Sequence, residues 1–167
     1  MSVGVRIPGS KSITNRVLAL AAISQGQSQF DAPLISDDTL AFAGGLAALG
    51  YAVDTSSPET WIVTGAGRGP VGKGKVDCVD AGTAARFLPP LAAGGSGAFT
   101  FDGSDQLRRR PLRPLLDTLG QLGAVINASA GGGLPIEIRA AGLSGGQIHF
   151  EARESSQYLS GLSWLGR

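Results

Sequence analysis

The chain has 167 residues and a formal net charge of +1, with 43% hydrophobic and 16% charged residues. This length and hydrophobic content fit one folded domain, and the near-neutral charge argues against a general nucleic-acid-binding surface. The 26 glycines, about twice the usual share of roughly 7%, follow no three-residue period, which excludes a collagen-like chain.

The composition also disfavours disulfides, metal sites and membrane insertion. One cysteine, Cys78, and one histidine, His149, leave no residues for a CxxC motif or a histidine cluster. The longest clean apolar run covers residues 17–23, well below the roughly 20 residues of a membrane span, and residues 1–9 lack the features of a signal peptide. We therefore expect a soluble cytoplasmic protein without a metal, in which Cys78 is a buried small hydrophobe and His149 faces solvent.

The first part of the chain alternates helices and strands, as judged from apolar periodicity and from the residues that cap helices. The predicted elements are an extended segment over residues 3–8, a helix over 13–22 that Gly26 can close, a helix over 39–49 with N-cap oxygens from Ser36, Asp37 and Asp38 and a stop at Gly50, and strands over 51–55 and 61–65.

The second part repeats this order. The predicted elements are a strand over residues 75–80, a helix that begins at Gly82 and Thr83 and contains Pro89 and Pro90, a strand over 99–102, a helix over 111–122 opened by Pro111, and strands over 124–128 and 134–139. A strand over residues 147–152 and a helix start at 155–159 then open a third copy.

Matching residues indicate that these parts are copies of one unit. Residues 46–53 (LAALGYAV) match residues 119–126 (LGQLGAVI), and Gly67 matches Gly142. We predict an α/β domain of repeated helix-strand-helix-strand-strand units, with an ordinary open α/β sheet as the alternative. The predicted divisions are residues 1–10 as a leading segment, 11–74 as the first unit, 75–146 as the second, and 147–167 as the start of a third that the chain only opens.

The turn from strand into helix carries small polar residues or glycine in every copy, at residues 9–12 (GSKS), 81–83 (AGT) and 155–157 (SSQ). A helix N-terminus offers free N–H groups and partial positive charge, so it is a natural anion site. Arg16 and Arg86 each lie one turn inside the helix that follows such a turn. If the repeat brings these helix starts together, they form an anion pocket; taken singly, each is more often an ordinary cap. The spacing of an ATP-binding phosphate loop is absent.

Two charged clusters have a structural and a functional interpretation. Residues 108–110 (RRR) are the densest cationic patch, with Arg113 nearby; such a run is usually a solvated turn, but one or two of these arginines could clamp a second anionic group bidentately. Asp37 and Asp38 could act as a carboxylate pair, but at a helix start we expect them to be caps. A nucleic-acid site is a weak alternative, because aromatic residues make up only 6% of the chain.

Four sequence blocks point to one known family. They are residues 9–16 (GSKSITNR), 80–87 (DAGTAARF), 101–111 (FDGSDQLRRRP) and 155–162 (SSQYLSGL). In this order the blocks resemble the 5-enolpyruvylshikimate-3-phosphate synthase (3-phosphoshikimate 1-carboxyvinyltransferase) family, and the first block separates it from the related transferase that acts on UDP-N-acetylglucosamine. The resemblance implies an enolpyruvyl transferase-like fold.

The resemblance also implies a shikimate-pathway enzyme that joins shikimate 3-phosphate and phosphoenolpyruvate, releases phosphate and uses no metal or organic cofactor. In the family, the methylene of phosphoenolpyruvate is protonated, the 5-hydroxyl attacks C2, and a tetrahedral intermediate loses phosphate. Site residues carry over by position. Lys11, Ser12 and Arg16 would bind shikimate 3-phosphate. Lys11 would also contact phosphoenolpyruvate and is the one candidate catalytic residue here. Ser155, Ser156 and Gln157 would hold the shikimate phosphate, and Gly82 and Arg110 would lie at the phosphoenolpyruvate site.

The family's principal acid and base groups lie in a second domain that closes on this one, and residues 3–8 resemble its crossover strand. We therefore expect half of a substrate pocket, little or no turnover by this chain alone, and a partner that is the remainder of the enzyme, from the same gene or a separate chain. Asp80, where Asn is frequent, and Phe87, where Pro or Leu is common, depart from the family pattern. The alternative is a noncatalytic anion-binding module that keeps the fold.

Overall fold

The computed structural model describes residues 9–150 and 155–165. The helices are α1 (Lys11–Ile23), α2 (Asp37–Ala48), α3 (Gly82–Ala93), α4 (Asp105–Arg108), α5 (Arg113–Gln121) and α6 (Ser156–Ser163). The strands are β1 (Gln25–Asp31), β2 (Ala52–Asp54), β3 (Thr60–Ala66), β4 (Val71–Asp77), β5 (Ser96–Asp102), β6 (Val125–Ala128) and β7 (Ile136–Ala141). No helix within the described ranges is long and apolar enough to cross a membrane.

The strands form two sheets. The first has the order β1-β3-β2 and is antiparallel, with Phe30 of β1 opposite Trp61 of β3. The second has the order β4-β5-β7-β6, in which β4 and β5 run parallel and the other pairs are antiparallel. Alternation of buried and exposed residues along β3 and β7 places one face of each sheet against the core and the other toward solvent.

Helix α3 lies at the centre of the core, because every residue in it except Arg86 is buried. A helix that is apolar on all sides must be covered on all sides, and α3 packs against α1, α2, α5, α6 and the second sheet. Pro89 and Pro90 are tolerated inside it although Pro90 has no N–H for the Arg86 carbonyl. At that point Gly161 of α6 lies so close that a Cβ would be 2.9 Å from the Arg86 carbonyl oxygen.

The repeat has a structural counterpart at the ends of α2 and α5. Tyr51 N–H donates to the Leu46 carbonyl and Gly50 N–H to the Ala47 carbonyl, and the second copy repeats this with Ala124, Leu119, Gly123 and Gly120. Gly50 and Gly123 have φ of +95° and +103°, and the matched Gly67 and Gly142 have φ of +68° and +80°. Both helices thus end in the same left-handed glycine motif.

The boundaries between the repeat units, after residues 74 and 146, stay predictions, and β4 runs across the first of them.

Most predicted elements are confirmed with small shifts of their ends. Helix α2 is capped by the Ser36 side chain in a reciprocal capping box with Thr39, so Ser36 is the cap while Asp37 and Asp38 lie in the first turn. Cys78 is fully buried, and this burial, together with the charges of Asp77 and Asp102, raises the pKa of its thiol to about 12.

Several predictions are wrong in detail. Helix α1 ends at Ile23, and Gly26 lies inside the unpredicted strand β1 with φ of +94°. The strand predicted at 75–80 begins at Val71 and ends at Asp77, and the helix predicted at 111–122 begins at Arg113, with Pro114 in its first turn. The short helix α4 was not predicted.

The leading segment and the third copy are only partly described. Residues 147–150 form no strand, although His149 is exposed as expected. Residues 151–152 of the predicted strand, and the segment 3–8, lie outside the described residues.

Candidate functional site

The N-terminal ends of α1 and α3 are fixed to each other by a buried hydrogen bond. The Asn15 amide nitrogen donates to Thr83 Oγ1 at 2.7 Å. Asn15 is fully buried and Thr83 nearly so, and Asn15 Oδ1 has no hydrogen-bond partner. Since these residues are 68 positions apart, the bond brings together helix starts that belong to different copies of the repeat.

Arg16 lies one turn into α1 and reaches across toward α6. Its Nη1 donates to the Ser12 carbonyl at 3.1 Å and also to the Ser12 hydroxyl, and its Nη2 donates to Ser160 Oγ at 3.4 Å. Its Cζ lies 5.3 Å from the centre of the Phe87 ring. The half-buried guanidinium is thus oriented by neutral groups.

Gly82, the first residue of α3, lies beneath two guanidinium groups. A Cβ at this position would be 2.7 Å from Arg86 Nη1 and 2.8 Å from Arg110 Nη1. Arg86 Nη1 donates to the Gly82 carbonyl at 3.1 Å and to Gln157 Oε1 at 3.4 Å, and Arg86 Nε is buried without a partner. No side chain caps α3, so its N-terminal N–H groups stay available.

Lys11 forms an ion pair that the sequence did not indicate. Its Nζ lies 3.0 Å from Asp38 Oδ2 in the first turn of α2, and about half of the lysine side chain is exposed. Ser36 and not Asp38 is the N-cap of α2, and the Asp38 carboxylate orients the Lys11 ammonium at the mouth of α1.

Helix α6 contributes through its first turn. The Ser155 hydroxyl accepts a hydrogen bond from Gln157 N at 3.2 Å and so caps the helix, while Ser156 is exposed. Gln157 is half-buried and faces Arg86. The interpretation of Ser155 as an ordinary cap is therefore correct for its side chain, whereas Gln157 joins the arginines.

The run of arginines at 108–110 divides into two environments. Arg108 forms a bidentate pair with Asp102, at 2.9 Å and 2.8 Å, and contacts Asp105 at 3.2 Å. The hydrogen bonds to Asp102 raise the pKa of Arg108, and the same contact lowers the pKa of Asp102. Arg110 reaches Gly82, whereas Arg108 is held by Asp102 and Asp105, so Arg108 stabilises its own turn and is not part of the candidate site.

The assembled site is cationic. Within residues 9–150 and 155–165, Arg16, Arg86 and Arg110 form no ion pair with a carboxylate, whereas Lys11, Arg108 and Arg139 do. Arg86 and Arg110 lie against the uncapped N-terminus of α3, and Arg16 and Arg86 both reach α6, so three guanidinium groups without a described carboxylate partner lie around the starts of α1, α3 and α6. This arrangement suits an anionic ligand better than a neutral one.

The eight candidate residues lie at or next to these helix starts, and their assignment to substrates stays a prediction; four further residues that the sequence did not assign to the site contact its charged groups or join its helices. Asn15, Asp38, Tyr158 and Ser160 act through contacts with partners distant in sequence. The Tyr158 ring lies 5.6 Å from Arg86 Cζ, and its hydroxyl donates to the Pro111 carbonyl. Local spacing carries no signal for such contacts, although Asn15, Tyr158 and Ser160 lie within the sequence blocks quoted above.

Comparisons with known proteins agree with one another. The family model described as EPSP synthase (3-phosphoshikimate 1-carboxyvinyltransferase) matches residues 1–163. A 3-phosphoshikimate 1-carboxyvinyltransferase from Mycobacterium ulcerans (strain Agy99) is 44% identical over 97% of this chain and 38% of its own length. Two solved structures of EPSP synthase from Acinetobacter baumannii have TM-scores of 0.85 at 23% identity, covering 97% of this chain and 37% or 38% of theirs, and they show the fold. The chain thus spans less than two fifths of the length of these relatives.

Proposed function

Because this chain belongs to the EPSP synthase (3-phosphoshikimate 1-carboxyvinyltransferase) family, we propose that it supplies part of the pocket in which phosphoenolpyruvate and shikimate 3-phosphate react. The complete enzyme would transfer the enolpyruvyl group to the 5-hydroxyl of shikimate 3-phosphate and release phosphate. The observation that carries this proposal is the convergence of Arg16, Arg86 and Arg110, none paired with a described carboxylate, on the N-termini of α1, α3 and α6.

The two substrates have separate places in this proposal. Shikimate 3-phosphate takes the side lined by α1 and α6, where Lys11, Ser12, Arg16, Ser155, Ser156 and Gln157 lie. Phosphoenolpyruvate takes the side of Gly82 and Arg110, where the absence of a side chain at Gly82 lets the guanidinium groups of Arg86 and Arg110 lie close to the N-terminus of α3. Lys11 lies at the mouth of α1, and we assign it the role of contacting both substrates.

The proposed chemistry needs more than these residues. A tetrahedral intermediate that loses phosphate requires a proton donor, a proton acceptor and a field that stabilises the added charge. The arginines here supply part of that field, and Lys11 is the one candidate for proton transfer among the assigned residues. We propose that the remaining groups come from the portion of the enzyme that this chain does not span, so the chain alone binds substrate but turns over little or none.

Calorimetric titration of the purified chain with shikimate 3-phosphate tests the proposal. We expect saturable binding that weakens by about tenfold or more in Lys11→Ala and in Arg16→Ala, since each removes charge-assisted hydrogen bonds. The matched control is Lys73→Ala, which removes the same charge from an exposed position in β4 and should leave the affinity unchanged. Absence of binding, or equal losses in all three variants, overturns the proposed pocket. Product formed by the chain with only the two substrates overturns the partial-site proposal.

A further inference from the structure

The guanidinium of Arg16 lies over the face of an aromatic ring where a carboxylate would be the usual partner. Its Cζ is 5.3 Å from the centre of the Phe87 ring, and Phe87 is fully buried in α3. At this distance the negative face of a ring attracts a cation. The hydrogen bonds of Arg16 go to Ser12 and Ser160, both uncharged, so no described group neutralises it.

The Phe87 ring is itself fixed by other rings. It makes edge-on contacts with Phe42, at a centroid distance of 6.2 Å and an interplanar angle of 78°, and with Trp164, at 4.7 Å and 77°. Two perpendicular neighbours restrict rotation of the ring, so the surface beneath Arg16 is rigid. A rigid surface lowers the entropy that the arginine loses when a ligand binds.

A carboxylate and a ring face would have different consequences for an anion. A carboxylate would orient Arg16 but would also repel a phosphate or carboxylate ligand and compete for the guanidinium N–H groups. The ring face attracts the guanidinium group without adding a negative charge or taking up any of its N–H donors. Arg86 repeats the arrangement over the Tyr158 ring, at 5.6 Å from its centre.

From this geometry we propose that Phe87 is a positioning residue, whose ring face orients Arg16 for an anionic ligand while leaving its charge available. The proposal deepens the proposed function, because it rests on the assignment of Arg16 to shikimate 3-phosphate. Phe87 is one of the two positions, with Asp80, at which the sequence departs from the pattern of the family that it resembles.

Fluorination of the ring tests this without removing the side chain. Monofluorophenylalanine and trifluorophenylalanine, placed at position 87 by amber suppression in the full chain, weaken the negative ring face in steps while nearly keeping its shape. We expect the affinity for shikimate 3-phosphate to fall stepwise, by about two- to fivefold over the series. The matched control is the same series at Phe42, which is equally buried and contacts Phe87, and which should leave the affinity unchanged.

A second readout is independent of the ligand. The Nε–H resonance of Arg16 in the ligand-free chain should carry a ring-current shift that Phe87→Leu abolishes and Phe42→Leu retains. If the unsubstituted chain does not bind shikimate 3-phosphate, the proposed function fails, and the Arg16 resonance alone then decides whether Phe87 positions this arginine. An Arg16 resonance that is the same in Phe87→Leu, or an affinity that is constant across the fluorinated series at position 87, overturns the inference.

Discussion

The amide nitrogen of Asn15 lies 2.7 Å from the hydroxyl oxygen of Thr83, and this buried bond joins the helices that carry Arg16 and Arg86. Neither residue is among the eight assigned to the substrates. Because the bond fixes α1 against α3 within the core, it sets the separation of the two arginine-bearing helix starts. A loss of this bond would therefore affect both the stability of the chain and the geometry of the proposed anion pocket.

Asn15→Ala, Thr83→Val and the double variant should reveal this coupling. Each single change leaves a buried polar group without a partner and should lower the free energy of unfolding by about 1–3 kcal/mol. The double variant should lose less than the sum of the single losses, with a coupling of about 1–2 kcal/mol, since the second change removes a group that the first has already left unpaired. Urea unfolding followed by circular dichroism measures all three. Additive losses would show that the bond contributes nothing.

How far the sequence predicts this molecule depends on whether the signal is local. Helix α2 was predictable because Ser36 and Gly50 mark its two ends by chemistry that acts within a few residues. Strand β1 was not, because its sequence QGQSQFD is polar and forms a strand only through its pairing with β3. The short α4 offers too few residues for a periodic pattern.

The candidate site shows the same division. The helix starts that we propose as anion sites could be recognised from residues 9–12, 81–83 and 155–157, because capping and phosphate binding use adjacent residues. The partners that orient the charged groups could not be recognised. The contact between Lys11 and Asp38 and that between Arg16 and Phe87 exist only because the core brings α1, α2 and α3 together.

Gly82→Ala should weaken anion binding without unfolding the chain. The added Cβ would lie under 3 Å from Arg86 Nη1 and Arg110 Nη1, and both flexible side chains can move to relieve the clash. The movement takes the guanidinium groups away from the N-terminus of α3, so we expect about tenfold weaker binding of phosphoenolpyruvate in the presence of shikimate 3-phosphate. An NMR titration measures this.

The control for that change is Gly44→Ala in α2. A Cβ at Gly44 meets nothing within 4 Å and the position is exposed, so the variant should gain about 0.5–1 kcal/mol of stability and bind as before. Equal affinities of the two alanine variants for phosphoenolpyruvate would contradict the role given to Gly82.

Cys78 should make the stability of the chain fall with pH in the alkaline range. Burial raises the pKa of its thiol to about 12 in the folded chain, whereas an unfolded thiol titrates near 8.5. Between these values only the unfolded chain releases the proton, so the free energy of unfolding falls by up to about 1.4 kcal/mol per pH unit. Below about pH 8 both states are protonated and the effect vanishes.

Cys78→Ala isolates this contribution between pH 8 and 9.5. Burial also raises the pKa of Tyr51 to about 12. Tyr51 affects the pH dependence of stability only at higher pH, because an unfolded tyrosine begins to titrate close to pH 10. The difference in urea midpoint between Cys78→Ala and the unsubstituted chain should narrow or reverse as pH rises through this window. A difference that stays constant would mean that the folded thiol ionises normally. As a second measurement, iodoacetamide at pH 8.5 should label Cys78 only after the chain unfolds, because the thiol is buried.

Arg108 and Arg110 should respond differently to the same loss of charge. Arg110→Gln removes a guanidinium that lies against Gly82, so it should weaken phosphoenolpyruvate binding by about tenfold. Arg108→Gln removes a guanidinium already paired with Asp102 and Asp105, so the affinity should stay within about twofold. Since both variants lose one positive charge, long-range electrostatics alone predicts equal effects, and equal losses of affinity would contradict the assignment of Arg110.

Acid unfolding provides the complementary measurement for Arg108. The hydrogen bond to Arg108 is the main reason that the pKa of Asp102 is lowered in the folded chain. A carboxyl group with a lowered pKa in the folded chain stabilises the protein above the unfolded pKa of about 3.9. This stabilisation is lost as the pH falls through the folded pKa. Arg108→Gln should therefore shift acid unfolding to higher pH, by a small amount because the pair is exposed and screened by salt. Arg110 has no described carboxylate partner, so Arg110→Gln should leave the pH of acid unfolding unchanged. An equal shift in both variants would show that acid unfolding responds to net charge and not to the pair of Arg108 and Asp102.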